Sequence, residues 1–279
     1  MTSSTDGVIA RSKAHLVRLW EQDRAAFGVW SSTRDAAVAE LMAASPFDYV
    51  CVDLQHGHAT YADLPGMLQA MRAADRAPLV RVPWNDPASI MRALDVGAFG
   101  VIVPMVNSAV EAAAAAAACR YPPAGARSWG PMWAGVRDDG APAPGEQDAA
   151  VLCLVMVETR AAVDALAEIV RVPGVDGVYI GPNDLALGCG FDRATYRDSP
   201  AVDDLIEGIV TTCRDAGVVV GLHCSDAEMG AHWAGRGVRL LTVGQDLALL
   251  GGAISRRWAA LDPATSAGRD GDPSSRPGY

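Results

Sequence analysis

Residues 151–184 read VLCLVMVETRAAVDALAEIVRVPGVDGVYIGPND. An apolar run ends at Glu158, an alanine-rich amphipathic stretch follows, and a second apolar run leads to Asp184. This is a strand–helix–strand pattern with an acid just beyond each strand. β/α barrels carry their chemistry at the C-terminal ends of their strands, so acids at two successive ends point to a divalent-metal site. Each acid also has a plainer use. Glu158 precedes Thr159 and Arg160, where an acid favours a helix N-terminus, and Asp184 in GPNDL suits a turn or cap.

The same alternation runs outward in both directions. Strands are predicted at 26–32, 47–54, 78–83, 100–105, 151–158, 175–181, 218–224 and 239–246. Helices are predicted at 33–44, 61–74, 86–96, 107–119, 160–171, 201–216, 226–235 and 247–260, with an extra one near 13–23. Eight such units predict a single-domain (β/α)8 TIM barrel over 1–261. No G-x-G-x-x-G opens a helix after a strand, which removes the main case for a dinucleotide fold. The run EAAAAAAACR (111–120) reads as a helix made of the best helix former. Residues 121–150 read as one long Gly- and Pro-rich connection, and 262–279 have the composition of a disordered tail.

The chain's 279 residues are 50% hydrophobic, enough for one large core. The net charge is −10 with no basic stripe, which argues against nucleic acid as a partner. The N-terminal MTSSTDGVIARSK has no apolar signal core, and no run approaches a membrane span. The six cysteines form no C-x-x-C pair, and Cys51 and Cys153 fall in apolar runs, as expected of buried thiols in a reducing compartment. A cytoplasmic, soluble protein is expected. The only lysine, Lys13, precedes the first strand, so the barrel offers none for a Schiff base, whether with substrate or with PLP. An enolate formed on this chain would need a metal.

Other strand ends add groups to the same rim. Asp53-Leu54-Gln55-His56-Gly57-His58 follows the second strand, Arg81 ends the third, and Pro104-Met105 follows the fourth. Arginine offers an oxyanion or carboxylate a planar fork, and histidine carries a proton near neutral pH. A charge among the apolar residues around Arg81 needs a partner or a function. His56 taken alone fits a satisfied structural histidine as well as a catalyst, and His58 fits the structural use. Asp95 in LDVGAFG most simply ends a helix. His223-Cys224 ends the seventh strand but has no partner at ligand spacing. The H-G-H pattern is shared with metal-dependent amidohydrolases. Theirs follows the first strand and needs later histidines that this chain lacks, since only His223 lies at another strand end.

With FDYVCVDLQHG, PLVRVPWNDP, RALDVGAFGVIVPMV, CRYPPAGARSWGP, VMVETRAAVD and GVDGVYIGPNDLALGCG in this order, the chain resembles the HpcH/HpaI aldolases over about 26–258. These are metal-dependent (class II) pyruvate aldolases. The resemblance implies Glu158 and Asp184 as ligands of Mg²⁺, Mn²⁺ or Co²⁺. It implies Arg81 as the group steadying the enolate and His56 as acid/base, acting directly or through water. Asp95 would reach a histidine across a subunit contact, Asp53 would support the loop, and Gly181-Pro182-Asn183-Asp184 would receive the pyruvate carboxylate. A homo-oligomer, a hexamer built as a trimer of dimers, is implied, as are a small 2-oxo acid and an aldehyde as substrates. Two positions depart from the family pattern. Met156 stands where glutamine is common, and Gln55 where glutamate is common, on the loop facing the aldehyde. The loop with Arg127, Trp129 and Trp133 is expected to shape that end as well. A citrate-forming or citrate-cleaving enzyme of the same family is the alternative. A third reading is a barrel that binds a ketoacid without catalysis.

Overall fold

A computed structural model of the chain describes residues 7–132, 142–192 and 199–260. Trp133 and the expected tail lie outside the described residues. Eight strands form: β1 (Ala26–Ser31), β2 (Tyr49–Asp53), β3 (Leu79–Arg81), β4 (Gly100–Val103), β5 (Leu152–Met156), β6 (Gly177–Ile180), β7 (Val219–His223) and β8 (Leu240–Gln245). They pair in sequence order, all parallel, and β8 closes on β1. The (β/α)8 barrel expected from the alternation is the fold, and each strand lies within its predicted stretch.

The helices are α1 (Val8–Glu21), α2 (Ala36–Ala43), α3 (Leu64–Ala73), α4 (Pro87–Val96), α5 (Ala109–Cys119), α6 (Pro144–Ala149), α7 (Arg160–Asp164), α8 (Leu166–Ile169), α9 (Pro182–Gly188), α10 (Pro200–Asp215), α11 (Ala227–Ala234) and α12 (Asp246–Ala259). Side chains set several starts. Asp35, Asp86, Ser108, Thr159 and Asp226 each accept a backbone N–H at the N-cap. Three helical expectations need correction. The stretch 160–171 breaks into α7 and α8 at Ala165. The 121–150 connection contains α6, opened by Pro144. GPNDL opens α9 rather than a bare turn, with Pro182 as its first residue.

Alternation along the strands builds two cores. Trp30, Tyr49, Cys51, Leu79, Ile102, Leu154, Met156, Tyr179 and Leu240 point into the barrel, where Thr242 Oγ1 bonds the hydroxyls of Tyr49 and Tyr179 at 2.9 and 2.7 Å. The alternate residues, such as Val50, Val80, Val101, Val155 and Leu222, pack outward under the helices. Helix α1 seals the N-terminal end: Leu16 and Leu19 join the inner core, and Trp20 Nε1 donates to Arg239 O at 2.9 Å. Lys13 Nζ donates to Val151 O at 2.8 Å, just before β5 begins. The single lysine therefore stands at the end of the barrel opposite the strand C-termini.

The last helix departs from the usual packing. Of its residues only Asp246 is buried. Asp246 accepts from the backbone N–H groups of Ser32 and Thr33 and from Thr33 Oγ1, tying the start of α12 to the end of β1. Beyond that turn Leu247, Leu249, Leu250, Ile254 and Trp258 are 43–61% exposed. Positions 247, 250, 254 and 258 fall on one helical stripe. Phe27 of β1 and Val243 of β8, which face outward toward Gly230 of α11, are partly exposed, whereas outward residues of the other strands are buried. Among the described residues no helix is long and apolar enough to cross a membrane.

Candidate active site

Register brings the first pair together. Asp53 and Arg81, the last residues of β2 and β3, are partners across the ladder. Arg81 Nε donates to Asp53 Oδ1 at 2.8 Å and Nη2 to Oδ2 at 2.6 Å, a bidentate fork with both groups buried. Asp53 Oδ1 also accepts from the backbone N–H groups of Gln55 and His56, at 3.0 and 3.3 Å. Burial works to raise this carboxyl, yet the Arg81 fork and the two loop N–H groups hold it below its ordinary value. One ionised aspartate thus orients the arginine and shapes the loop that carries His56. The loop closes through His58 N, which donates to Ser32 O at 2.7 Å. Gly57 is required there, because a Cβ would fall 2.3 Å from Asp53 O. His56 itself is exposed on the loop, and Gln55 is half-buried.

On the facing side of the rim, Glu158 lies two residues past β5 and is 2% exposed. Its Oε1 accepts the Met105 N–H at 2.8 Å. Met105 has a positive φ of 56°, uncommon for a residue with a side chain, and this turns its amide toward the carboxylate. Asn107 braces that turn, donating through Nδ2 to Met105 O at 2.8 Å and accepting from the Thr159 hydroxyl. Glu158 Oε2 rests against the end of β6, where a Cβ on Gly181 would lie 2.6 Å from it and 3.0 Å from Met156 Cε. Glycine at 181 is what admits the carboxylate. Asp184 is exposed in the first turn of α9, and Gly181 and Pro182 are buried.

Burial pushes the Glu158 carboxyl up to about 7, partly relieved by the Met105 N–H and reinforced by the charge of Asp184. Two acids crowded at one mouth, one of them reluctant to ionise, form a site short of positive charge. Among the described residues no group of three or more His, Cys, Asp and Glu converges. A cation here would draw two carboxylate ligands from the chain and fill its remaining positions with water or substrate oxygens. That donor set fits a hard divalent ion and does not fit a closed structural zinc site.

Arg81 links the two halves, its charge acting on both Glu158 and His223. Its guanidinium carbon lies 4.5 Å from the Trp30 ring centroid. His223 ends β7 beside Trp30, edge to face with centroids 4.8 Å apart.

Asp95 does not join this group within one chain. It lies near the C-terminal end of α4 and accepts from Arg127 Nη2 at 2.6 Å. Burial raises its carboxyl above the ordinary value, with the Arg127 hydrogen bond opposing the shift. The described part of the following loop packs beside it. Met132 N donates to Asp95 O at 2.9 Å, Arg127 stacks on Tyr121, and Arg120 pairs with Asp176 just before β6. These anchors belong to the barrel's N-terminal end. Within a single chain, Arg127 and Trp129 therefore do not shape the aldehyde end as expected.

Residues 26–253 match the family model described as HpcH/HpaI aldolase/citrate lyase. The hydroxypyruvate/pyruvate aldolase of Rhizorhabdus wittichii is 35% identical over 234 residues, covering 84% of this chain and 93% of that one. The 4-hydroxy-2-oxo-heptane-1,7-dioate aldolase of Salmonella arizonae is 38% identical over 233 residues, covering 81% and 86%. Among solved structures, an HpcH/HpaI aldolase/citrate lyase family protein from Burkholderia cenocepacia superposes with a TM-score of 0.80 at 28% identity, covering 89% of this chain and 99% of that one.

Proposed function

The chain belongs to the HpcH/HpaI aldolase/citrate lyase family, and from that premise we propose that it is a class II aldolase that cleaves 4-hydroxy-2-oxo acids to a pyruvate-type 2-oxo acid and an aldehyde, and catalyses the reverse addition. The observation that carries this reading is the buried Glu158 beside Asp184, with the Asp53-held Arg81 facing them. Glu158 and Asp184 would hold Mg²⁺, Mn²⁺ or Co²⁺. That ion, when bound, supplies Lewis-acid polarisation of the 2-oxo acid's carbonyl.

The chain's own groups do the rest. The first turn of α9 leaves the N–H groups of Asn183 and Asp184 outside the helical ladder, and they receive the substrate carboxylate. In the cleavage direction His56 takes the proton of the C4 hydroxyl. The C3–C4 bond breaks, the aldehyde leaves, and its electron pair passes to C3 and the C2 oxygen. Arg81, already charged and fixed by Asp53, faces that oxygen as its charge grows and needs no reorganisation to do so. Return of a proton to C3 completes the 2-oxo acid. Lys13, at the far end of the barrel, is placed to take no part.

The family description also covers citrate lyases. Incubating the full chain and a divalent cation with 4-hydroxy-2-oxo acids, with oxaloacetate plus an acetyl donor, and with citrate separates the two readings. Release of pyruvate and aldehyde from the first substrate is expected, and turnover confined to citrate chemistry would contradict the proposal.

The working enzyme is a homo-oligomer. Support comes from α12, whose apolar stripe is left in water although burying each such side chain is worth roughly 1.5–3 kcal/mol. Asp95, placed away from its own rim, would serve a neighbour's histidine. Light scattering should find an oligomer for the native chain, and a smaller species when Leu250 and Ile254 are both replaced by glutamate. A native chain that is monomeric at micromolar concentration would contradict this assignment.

A further inference from the structure

Trp30 is the last residue but one of β1, is 1% exposed and packs inside the barrel. The ladder between β1 and β8 shifts register between Gly28 and Trp30, an irregularity of the kind that re-aims a side chain at a barrel rim. The Arg81 guanidinium lies over the indole, its central carbon 4.5 Å from the ring centroid. Tyr179 of β6 and His223 of β7 flank the ring, with centroids 5.7 and 4.8 Å away and His223 edge to face. The indole N–H is buried and finds no acceptor among the described residues, so packing fixes this ring. A position that only had to be filled would take leucine or phenylalanine without a buried, unmet donor. What the indole adds is the aromatic face best suited to a cation.

We propose that Trp30 is a positioning residue that sets the plane of the Arg81 guanidinium, so that this group meets the enolate oxygen without first turning. The inference rests on the enolate reading given above and goes beyond it, since the mechanism there fixes Arg81 through Asp53 alone. A planar group is held only by two constraints at right angles. The Asp53 fork fixes the direction in which the guanidinium points, because two parallel N–H donors meet two oxygens. It leaves the plane free to tilt about the line joining the two groups. A flat aromatic surface against the guanidinium removes that tilt. The neighbouring imidazole does not compete for the ring. Burial, then the nearby Arg81 charge, pushes His223 down to about 4, so it adds no second cation at the indole. With both constraints in place the cation is preorganised for a developing oxyanion.

The test uses the full chain with Mn²⁺ and follows exchange of the methyl protons of pyruvate with D₂O by NMR, which reports enolate formation without any aldehyde. Trp30→Leu should lower kcat for exchange about tenfold or more with little change in KM. Trp30→Phe, which keeps an aromatic face, should retain most of the native rate. A second readout needs no turnover. In chelated native protein labelled on arginine, the Arg81 guanidinium should give separate NMR signals for its two Nη groups, assigned by their loss in Arg81→Lys. Trp30→Leu should merge them, and Trp30→Phe should keep them apart. Should Trp30→Leu not fold, Trp30→Met fills the space without a ring and carries the same expectations. An unchanged kcat, a loss carried by KM, an equal loss in the Phe and Leu variants, or separate signals without the ring would overturn the proposal. No exchange in the native enzyme would sink the enolate reading, while the Nη signals would still decide whether the ring holds Arg81.

Discussion

Glu158→Ala is expected to abolish turnover, lowering kcat/KM by about 10³-fold or more, because on the reading proposed above it would remove one of the two carboxylates that hold the cation, a buried one. A stability signature accompanies the kinetic one. In chelated folded protein Glu158 keeps its proton up to about 7, whereas in the unfolded chain it releases it near the ordinary 4.5. The folded state therefore holds more protons between these values, and stability falls as pH rises from about 4.5 to about 7, then levels. Glu158→Gln removes the ionisation and should flatten that slope, leaving the chelated variant at pH 8 at least as stable as the native chain. Urea titrations across this range read the effect. Full activity in Glu158→Ala would remove the assigned site, and an unchanged pH slope in Glu158→Gln would show that the carboxyl is not held near neutrality.

Arg81→Lys is expected to lower kcat by about 10²–10³-fold with a smaller change in KM, the range for losing one preorganised donor to a developing oxyanion. Lysine keeps the charge but cannot present the fork that now meets both oxygens of Asp53. Asp53→Asn tests the same unit from the other side. It leaves a buried arginine with a neutral partner and weakens the acceptor that orders the Gln55 and His56 amides. Both variants should lose rate in proton exchange at C3 as well as in cleavage, since both would misplace the group proposed to face the C2 oxygen. A variant that lost only aldehyde affinity would assign Arg81 to the acceptor side.

The barrel was legible because its strands are short, apolar and separated by amphipathic helices. VLCLVM is a short unbroken apolar run, whereas AAVDALAEI spaces Val163, Leu166 and Ile169 at helical intervals between charged residues. Glycine- and proline-rich stretches hid two helices. α9 opens on a proline inside what reads as a turn, and α6 sits in a run whose composition signals only loop. At the rim, the acids and the arginine stood out as polar residues closing apolar runs. What composition and spacing could not show was connection. Asp53 holds Arg81 and the His56 loop because β2 and β3 pair in a register that the chain does not print. Met105 contributes a backbone N–H through a left-handed turn, and no side-chain motif announces it. His223 lacked any partner at ligand spacing. Its partners are Trp30 and Arg81, from strands far away in sequence.

Cleavage of a 4-hydroxy-2-oxo acid, measured in rigorously chelated enzyme and again after Mn²⁺ or Mg²⁺ is restored, with borohydride added in a parallel sample, tests the central claim most directly. The account predicts a rate that collapses on chelation, returns with the cation and is unaffected by borohydride. Cleavage at full rate in chelated enzyme, or a borohydride-trapped adduct on Lys13, would contradict it.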